Sequence, residues 1–186
     1  MSTKPGEATG KPLPEPRPAL DDQTLAFAAR VFGFARGGHA RELSELLDQG
    51  LPANLRNERG DSLLMLAAYH GHGEAVRVLL EHGGDPNLGN DRGQTPLAAA
   101  AFKGELEVVQ RLLDAGALVD GCGPDGRTAL MTAAMFGRTA IVDLLLASGA
   151  SAGARDAGGN TAYDAALAMG AAETAEQLER AAHKDR

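Results

Sequence analysis

Glycine recurs on a fixed period through most of this chain. Gly60, Gly93, Gly126 and Gly159 are each 33 residues apart, and so are Gly71, Gly104, Gly137 and Gly170. A third series, Gly50, Gly83, Gly116 and Gly149, runs in phase with the leucine pairs Leu46/Leu47, Leu79/Leu80, Leu112/Leu113 and Leu145/Leu146. A unit of this length is one supersecondary motif, too small to bury its own apolar face, so several units must stack into a solenoid that shares a core. The phase predicts a repeat domain over 21–182, with about five units at 24–56, 57–89, 90–122, 123–155 and 156–182, the first and last acting as degenerate caps. Residues 1–20 hold Pro5, Pro12, Pro14, Pro16 and Pro18. They read as an extended tail outside the repeat phase that folding does not need. Residues 183–186 read as a short C-terminal tail.

The stretch "GQTPLAAAAFKGELEVVQRLLDAGA", residues 93–117, shows how one unit is built. Thr95 suits an N-cap and Pro96 the first helical position. Gly104 can take the left-handed conformation that ends a helix. A second helix carries Val108, Val109, Leu112 and Leu113 on one face, and Gly116 stops it. The pairs Ala67/Ala68, Ala100/Ala101 and Ala133/Ala134 are small enough for helices of adjacent units to approach closely. Turn-rich segments such as "DPNLGNDRG", residues 85–93, predict hairpin-like fingers between units.

These residues, with "GHGEAVRVLLEHGGDPN" and "GRTALMTAAMFGRTAIVDLLLASGA", give the chain a sequence that resembles the ankyrin repeat family over roughly 24–181. The resemblance implies an all-α repeat solenoid: helix pairs in an L-shaped stack, β-hairpin fingers, and a concave face of first helices and fingers that binds proteins. There are departures. The histidine of the family's T-P-L-H tetrapeptide is Met65, Ala98, Met131 and Asp164 here, which takes away the hydrogen bonds that residue makes between repeats. The first unit has Phe27, Ala29 and Arg30 where later units have the finger glycine, Thr and Pro, so it is expected to start as a bare helix. The last unit carries Glu173, Glu176, Glu179 and Arg180, the polar outer face a terminal cap needs.

The candidates for metal and cofactor chemistry dissolve into the period. His70, His72 and His82 crowd one unit, but a glycine turn and a whole helix separate them and no i, i+4 relation converges them, so no metal site is expected. "GCGPDG", residues 121–126, spells G-x-G-x-x-G without the buried strand and helix that a dinucleotide site requires, and Gly126 belongs to the period. It reads as a finger turn, and no cofactor is expected. Cys122 is the sole cysteine, so there is no internal disulfide and no thiolate cluster. No serine or carboxylate pair has a catalytic context. A net charge of -7 argues against a nucleic-acid backbone as the main partner. No apolar run is long enough to span a bilayer and no secretory signal is present, so a cytoplasmic protein is expected, without a membrane partner and as a monomer. Richness in alanine and glycine suggests a bacterial source.

In the family it resembles, a repeat protein keeps its specificity in the finger residues and the last two residues of each first helix. Carried over by position, the fingers offer Arg59, Asp61, Arg92, Gln94 and Arg127. The helix ends offer Tyr69/His70, Phe102/Lys103, Met135/Phe136 and Met169. Of seven aromatic residues in the chain, three fall here. Interfaces are enriched in aromatic residues, Met and Arg, which favours binding anchors; the alternative is that the rings lean over neighbouring repeats and complete the core. The functional expectation is a non-enzymatic module that binds a partner protein on its concave face. A dedicated inhibitor or assembly factor of one enzyme or toxin is preferred over a general adaptor because the array is short. A small metal- or ligand-binding enzyme is the alternative from a different class.

Overall fold

The computed structural model describes residues 21–184, with side chains through Ala182; the proline-rich tail lies outside the described residues. Among the described residues ten helices form five helix-turn-helix pairs: α1 (Asp22–Gly37) with α2 (Ala40–Asp48), α3 (Leu63–Tyr69) with α4 (Gly73–Glu81), α5 (Pro96–Lys103) with α6 (Leu106–Asp114), α7 (Ala129–Met135) with α8 (Thr139–Ala147), and α9 (Ala162–Ala168) with α10 (Ala172–Lys184). First helices stack on first helices and second on second.

Each central first helix starts at a hydroxyl. Ser62 Oγ accepts from the Met65 N–H at 3.0 Å, Thr95 Oγ1 from Ala98 at 3.2 Å and Thr128 Oγ1 from Met131 at 3.3 Å. Thr161 and Asp164 complete a reciprocal capping box. Asp164 therefore serves its own helix start in place of the family histidine. Pro96 sits in the first turn, and Gly104 ends α5 in the left-handed region at φ 90°.

The alanine pairs at 67/68, 100/101 and 133/134 are all fully buried. The second helices turn Val76, Leu79, Val109, Leu112, Val142 and Leu145 into the same core, also without exposure. As expected of a bare-helix start, α1 begins directly at the Asp21 N-cap and runs for 16 residues. At the other end α10 buries Ala175 and Leu178 and exposes Glu173, Glu176, Glu179 and Arg180. The expected tail at 183–186 starts too early: α10 continues to Lys184, because no glycine or proline interrupts "ERAAHK".

The fingers are turns, and among the described residues no named strand forms; only an isolated bridge joins Arg56 and Ser62. The expected hairpins shrink to turns of five residues, closed by Asn57 N–H to Asp61 C=O, Asn90 N–H to Gln94 C=O and Asp156 N–H to Asn160 C=O, each 3.0 Å, with the Gly60, Gly93 and Gly159 N–H groups bonding back to the C=O of Asn57, Asn90 and Asp156 inside them. Five residues are too few for a longer ladder.

What replaces the lost histidine bonds between repeats is a ladder of amide and carboxylate side chains at the base of the fingers. Asn54 accepts from the Asp85 N–H at 2.8 Å and donates to the Gly83 C=O. One period on, Asn87 accepts from Leu118 at 2.7 Å and donates to Gly116. Asp120 then accepts from Ser151 at 3.1 Å. The ladder stops where the next position is Gly153. There the terminal unit is held through its second helix, where the buried Thr174 hydroxyl donates to Ala134 C=O at 2.8 Å and Gln177 donates to Thr139 C=O.

Leu112 is fully buried between second helices. Leu112→Ala is expected to destabilise the fold by about 2–5 kcal/mol, read from the shift in urea midpoint at unchanged slope. Asn87→Ala, which removes one rung at the surface, should cost about 1 kcal/mol.

Candidate binding groove

The finger tips owe their shape to one side chain per unit. Asn57 Oδ1 accepts from the N–H groups of Arg59 and Asp61, both at 2.9 Å. Asn90 Oδ1 repeats this with Arg92 at 3.1 Å and Gln94 at 3.0 Å. Asp156 repeats it with Gly158 and Asn160. Asn90 is buried and also donates to Asp61 Oδ1 at 2.8 Å, which locks two neighbouring fingers together. The backbone adds a second tie between the same fingers, Asp91 N–H to Arg59 C=O at 3.2 Å, and Arg56 reaches Asp91 at 3.0 Å.

In the fourth unit the capping position is Gly123. A Cβ on it would lie 2.5 Å from Gly93 Cα, so only glycine fits where these two fingers touch. The next residue, Pro124, has no N–H and cannot repeat the bond that Asp91 makes. The tie resumes one unit later as Ala157 N–H to Asp125 C=O at 2.8 Å.

Fingers and first helices enclose a groove of about 620 Å³. It brings together all the residues marked by the sequence except Lys103 and Met169, which stand outside the lining. Its floor is a run of aromatic rings crossing three units. Tyr69 stacks on Phe102 with ring centroids 5.9 Å apart and planes at 11°, and Phe102 meets Phe136 edge-on at 4.7 Å and 84°. Tyr69 is 38% exposed and Phe136 39%, while Phe102 between them is half-buried. The rings are thus not core residues; they support one another on the core's outer face. Lys103 lies over the Tyr69 ring, its Nζ 5.2 Å from the centroid. Met135 is half-buried at the end of α7, and Met169 is exposed at the end of α9.

Two residues stand apart from the sequence reading. Asp61, offered there as an outward finger residue, is only 8% exposed, its carboxylate held by Asn90 and Asn57. It fixes the finger. Arg36, not singled out from the sequence, lines the groove. It lies one period before Tyr69, so the repeat register marked the position, and only the different residue type hid it.

The histidines divide between two faces. His70 and His72 stack at 6.1 Å near the groove, and His72 Nε2 lies 2.7 Å from the Arg36 C=O. Partial burial lowers the His70 pKa below the ordinary histidine value, and the charges of His72, Lys103 and Arg36 push the same way. His82 caps α4, with Nδ1 2.8 Å from Val78 C=O and Nε2 3.1 Å from Asp48 of the preceding unit. The Val78 carbonyl and then Asp48 raise its pKa. Among the described residues no group of three or more His, Cys, Asp and Glu side chains gathers as metal ligands would. Cys122 is exposed. The Gly126 N–H closes the turn of "GCGPDG" on Gly123 C=O at 2.9 Å, so this stretch is a finger, with no strand before it.

Stacked helix pairs joined by short fingers, with a groove along their first helices, define a helical repeat solenoid. The comparisons specify which kind. The model for ankyrin repeats in three copies matches residues 27–121, and a second ankyrin-repeat model matches 97–146 and 130–178. The chain belongs to the ankyrin repeat family, whose repeats generally mediate binding to proteins and are typically non-enzymatic. It is also similar to an ankyrin repeat protein of Pseudomonas aeruginosa, at 58% identity over 55 residues, which cover 30% of this chain and 32% of that protein. The chain thus spans about a third of the length of this curated relative. Among the described residues no helix is long and apolar enough to cross a membrane.

His82 links protons to the contact between the first two units. Because its folded pKa is raised above 6.5, its contribution is fully present below that pH and is lost as pH rises through the folded value. The stability cost of His82→Ala should therefore be largest below pH 6.5 and shrink in alkaline buffer, and Asp48→Asn should show the same trend. Urea midpoints across that range check this.

Proposed function

We propose that this chain is a non-enzymatic binding module that receives a segment of one dedicated partner protein in its concave groove. The carrying observation is the Tyr69–Phe102–Phe136 run: three rings from three consecutive units, in contact with each other, partly exposed, and lining one groove. Half-exposed rings that meet side by side across units suit hot-spot anchors, which lie in the centre of an interface with polar groups around them. Arg59, Arg92 and Arg127 supply that polar rim, together with Gln94, His70 and Lys103. Met135 and Met169 extend the apolar surface toward the last unit.

The residue at the end of each first helix differs from unit to unit: Arg36, Tyr69, Phe102, Met135, Ala168. The groove therefore has a direction, cationic at the first unit, aromatic in the middle and apolar toward the last. Such a surface discriminates between partners and between orientations of one partner, which supports a dedicated inhibitor or assembly factor over a general adaptor. We place the protein in the cytoplasm of a bacterium as a monomer.

Replacing Phe102 and Phe136 together by Ala tests the reading. Each truncation is expected to weaken capture of the partner by about 2 kcal/mol. The fold should lose only about 1 kcal/mol per ring, the scale of a ring-on-ring contact. Affinity capture from the native cell with wild-type and double-variant chains, followed by mass spectrometry and a thermal melt, separates the two effects. A double variant that melts as low as Leu112→Ala, or that still retains the same partner, overturns this assignment.

A further inference from the structure

The groove's charges are unevenly committed. Two of its three carboxylates are engaged within the chain, the buried Asp61 by Asn57 and Asn90 and the exposed Asp125 by the Arg127 N–H, while Glu58, also in the lining, makes no hydrogen bond or ion pair among the described residues. Asp91, beside the groove, is held by Arg56. The arginines are not. Among the described residues the guanidinium groups of Arg36, Arg59, Arg92 and Arg127, all lining the groove, make no hydrogen bond and no ion pair, whereas Arg56, Arg77 and Arg111 elsewhere on the surface are each held by a carboxylate. In a chain of net charge -7, four unengaged guanidinium groups thus face one cavity whose floor is aromatic. Such groups bind carboxylates in forked pairs more strongly than they bind water, and more so beside apolar surface that excludes it.

We propose that the groove takes an extended acidic peptide segment of the partner, with at least one apolar side chain seated on Phe102 and Phe136 and carboxylates paired with Arg36, Arg59 and Arg92. This rests on the reading of the groove as a protein-binding site and names the chemistry of its occupant. Arg59 and Arg92 hold the same position in adjacent units. Neighbouring helices lie about 8–10 Å apart and an extended chain advances about 3.3 Å per residue, so a segment crossing the units meets a new arginine at roughly every third residue. Nucleic acid fits less well. Its unbroken charge would have to run against the negative field of the whole chain and past Glu58, and it offers no aliphatic side chain for Met135 and Phe136.

The full chain, immobilised, is panned against a displayed library of short random peptides, and a selected peptide is titrated by fluorescence anisotropy. The selected peptides are expected to carry Asp or Glu at about every third position around an apolar residue, and to weaken as salt is raised. Arg59→Gln with Arg92→Gln, folded with an unchanged melt because neither guanidinium is bonded within the chain, should bind about tenfold more weakly or worse. Peptides without acidic bias that still need Phe102 and Phe136 but ignore the arginine changes overturn the acidic-segment proposal and leave the groove reading intact. No enrichment, or binding indifferent to both pairs of changes, overturns both. An oligothymidylate that binds more tightly than the selected peptide and displaces it overturns the proposal in favour of nucleic acid.

Discussion

The close approach of one first helix to the next, made possible by alanine, is the contact on which the rest of this molecule depends. Ala67/Ala68, Ala100/Ala101 and Ala133/Ala134 present only a methyl group each, and all are fully buried. A larger side chain there would push successive units apart and separate their fingers, because interiors at this density cannot absorb extra volume without backbone shifts. The buried leucines between second helices set the spacing on the outer side. The groove lies along the first-helix side of this stack, where the alanines let the helices come close.

Hydrogen bonds between units are spread over several positions, so loss of the family's histidine does not leave the repeats untied. Asn54, Asn87 and Asp120 serve three successive junctions from the base of the fingers. A second set runs from the start of two of the second helices to the end of the preceding unit's first helix. His72 meets Arg36 C=O there, and Arg138 donates to Phe102 C=O at 3.3 Å. Glu105 occupies the same position between them and has no proton to give. In a linear array each junction stands largely on its own, so a rung missing at one is compensated locally or not at all.

Most of the architecture was legible because the repeat is a covalent fact of the chain. Thr95, Pro96, Gly104 and Gly116 sit where their local chemistry places them, and the period then copied that reading along the sequence. What the sequence left unseen at Asp61 and at Asp48 depends on a partner a whole unit away. Asp61 looked like a surface acid because the amide that buries it, Asn90, lies 29 residues on. The Asp48–His82 pair spans 34 residues and joins helices that no local pattern connects. The aromatic residues were visible as a cluster, but whether they were core or surface depended on how three helix ends align. The answer, rings propped against one another at the edge of the core, was neither alternative in pure form. Arg36 differs, since the period marks its position and only its residue type, a cation where the other units carry apolar side chains, sets it apart.

Pro124 has a mechanical consequence. The backbone ties the second finger to the third and the fourth to the fifth, but at the junction of third and fourth the tie is missing, and Gly93 and Gly123 touch there instead. A stack flexes more readily where its fingers are less fastened, so of the three junctions between fingers the middle one is the most compliant. Phe102 and Phe136 stand on opposite sides of that joint. The two rings can be spread or closed by a small change in curvature, without breaking a finger-to-finger backbone bond. The spacing of these two rings is therefore set at the one finger-to-finger junction among the described residues that has no backbone tie.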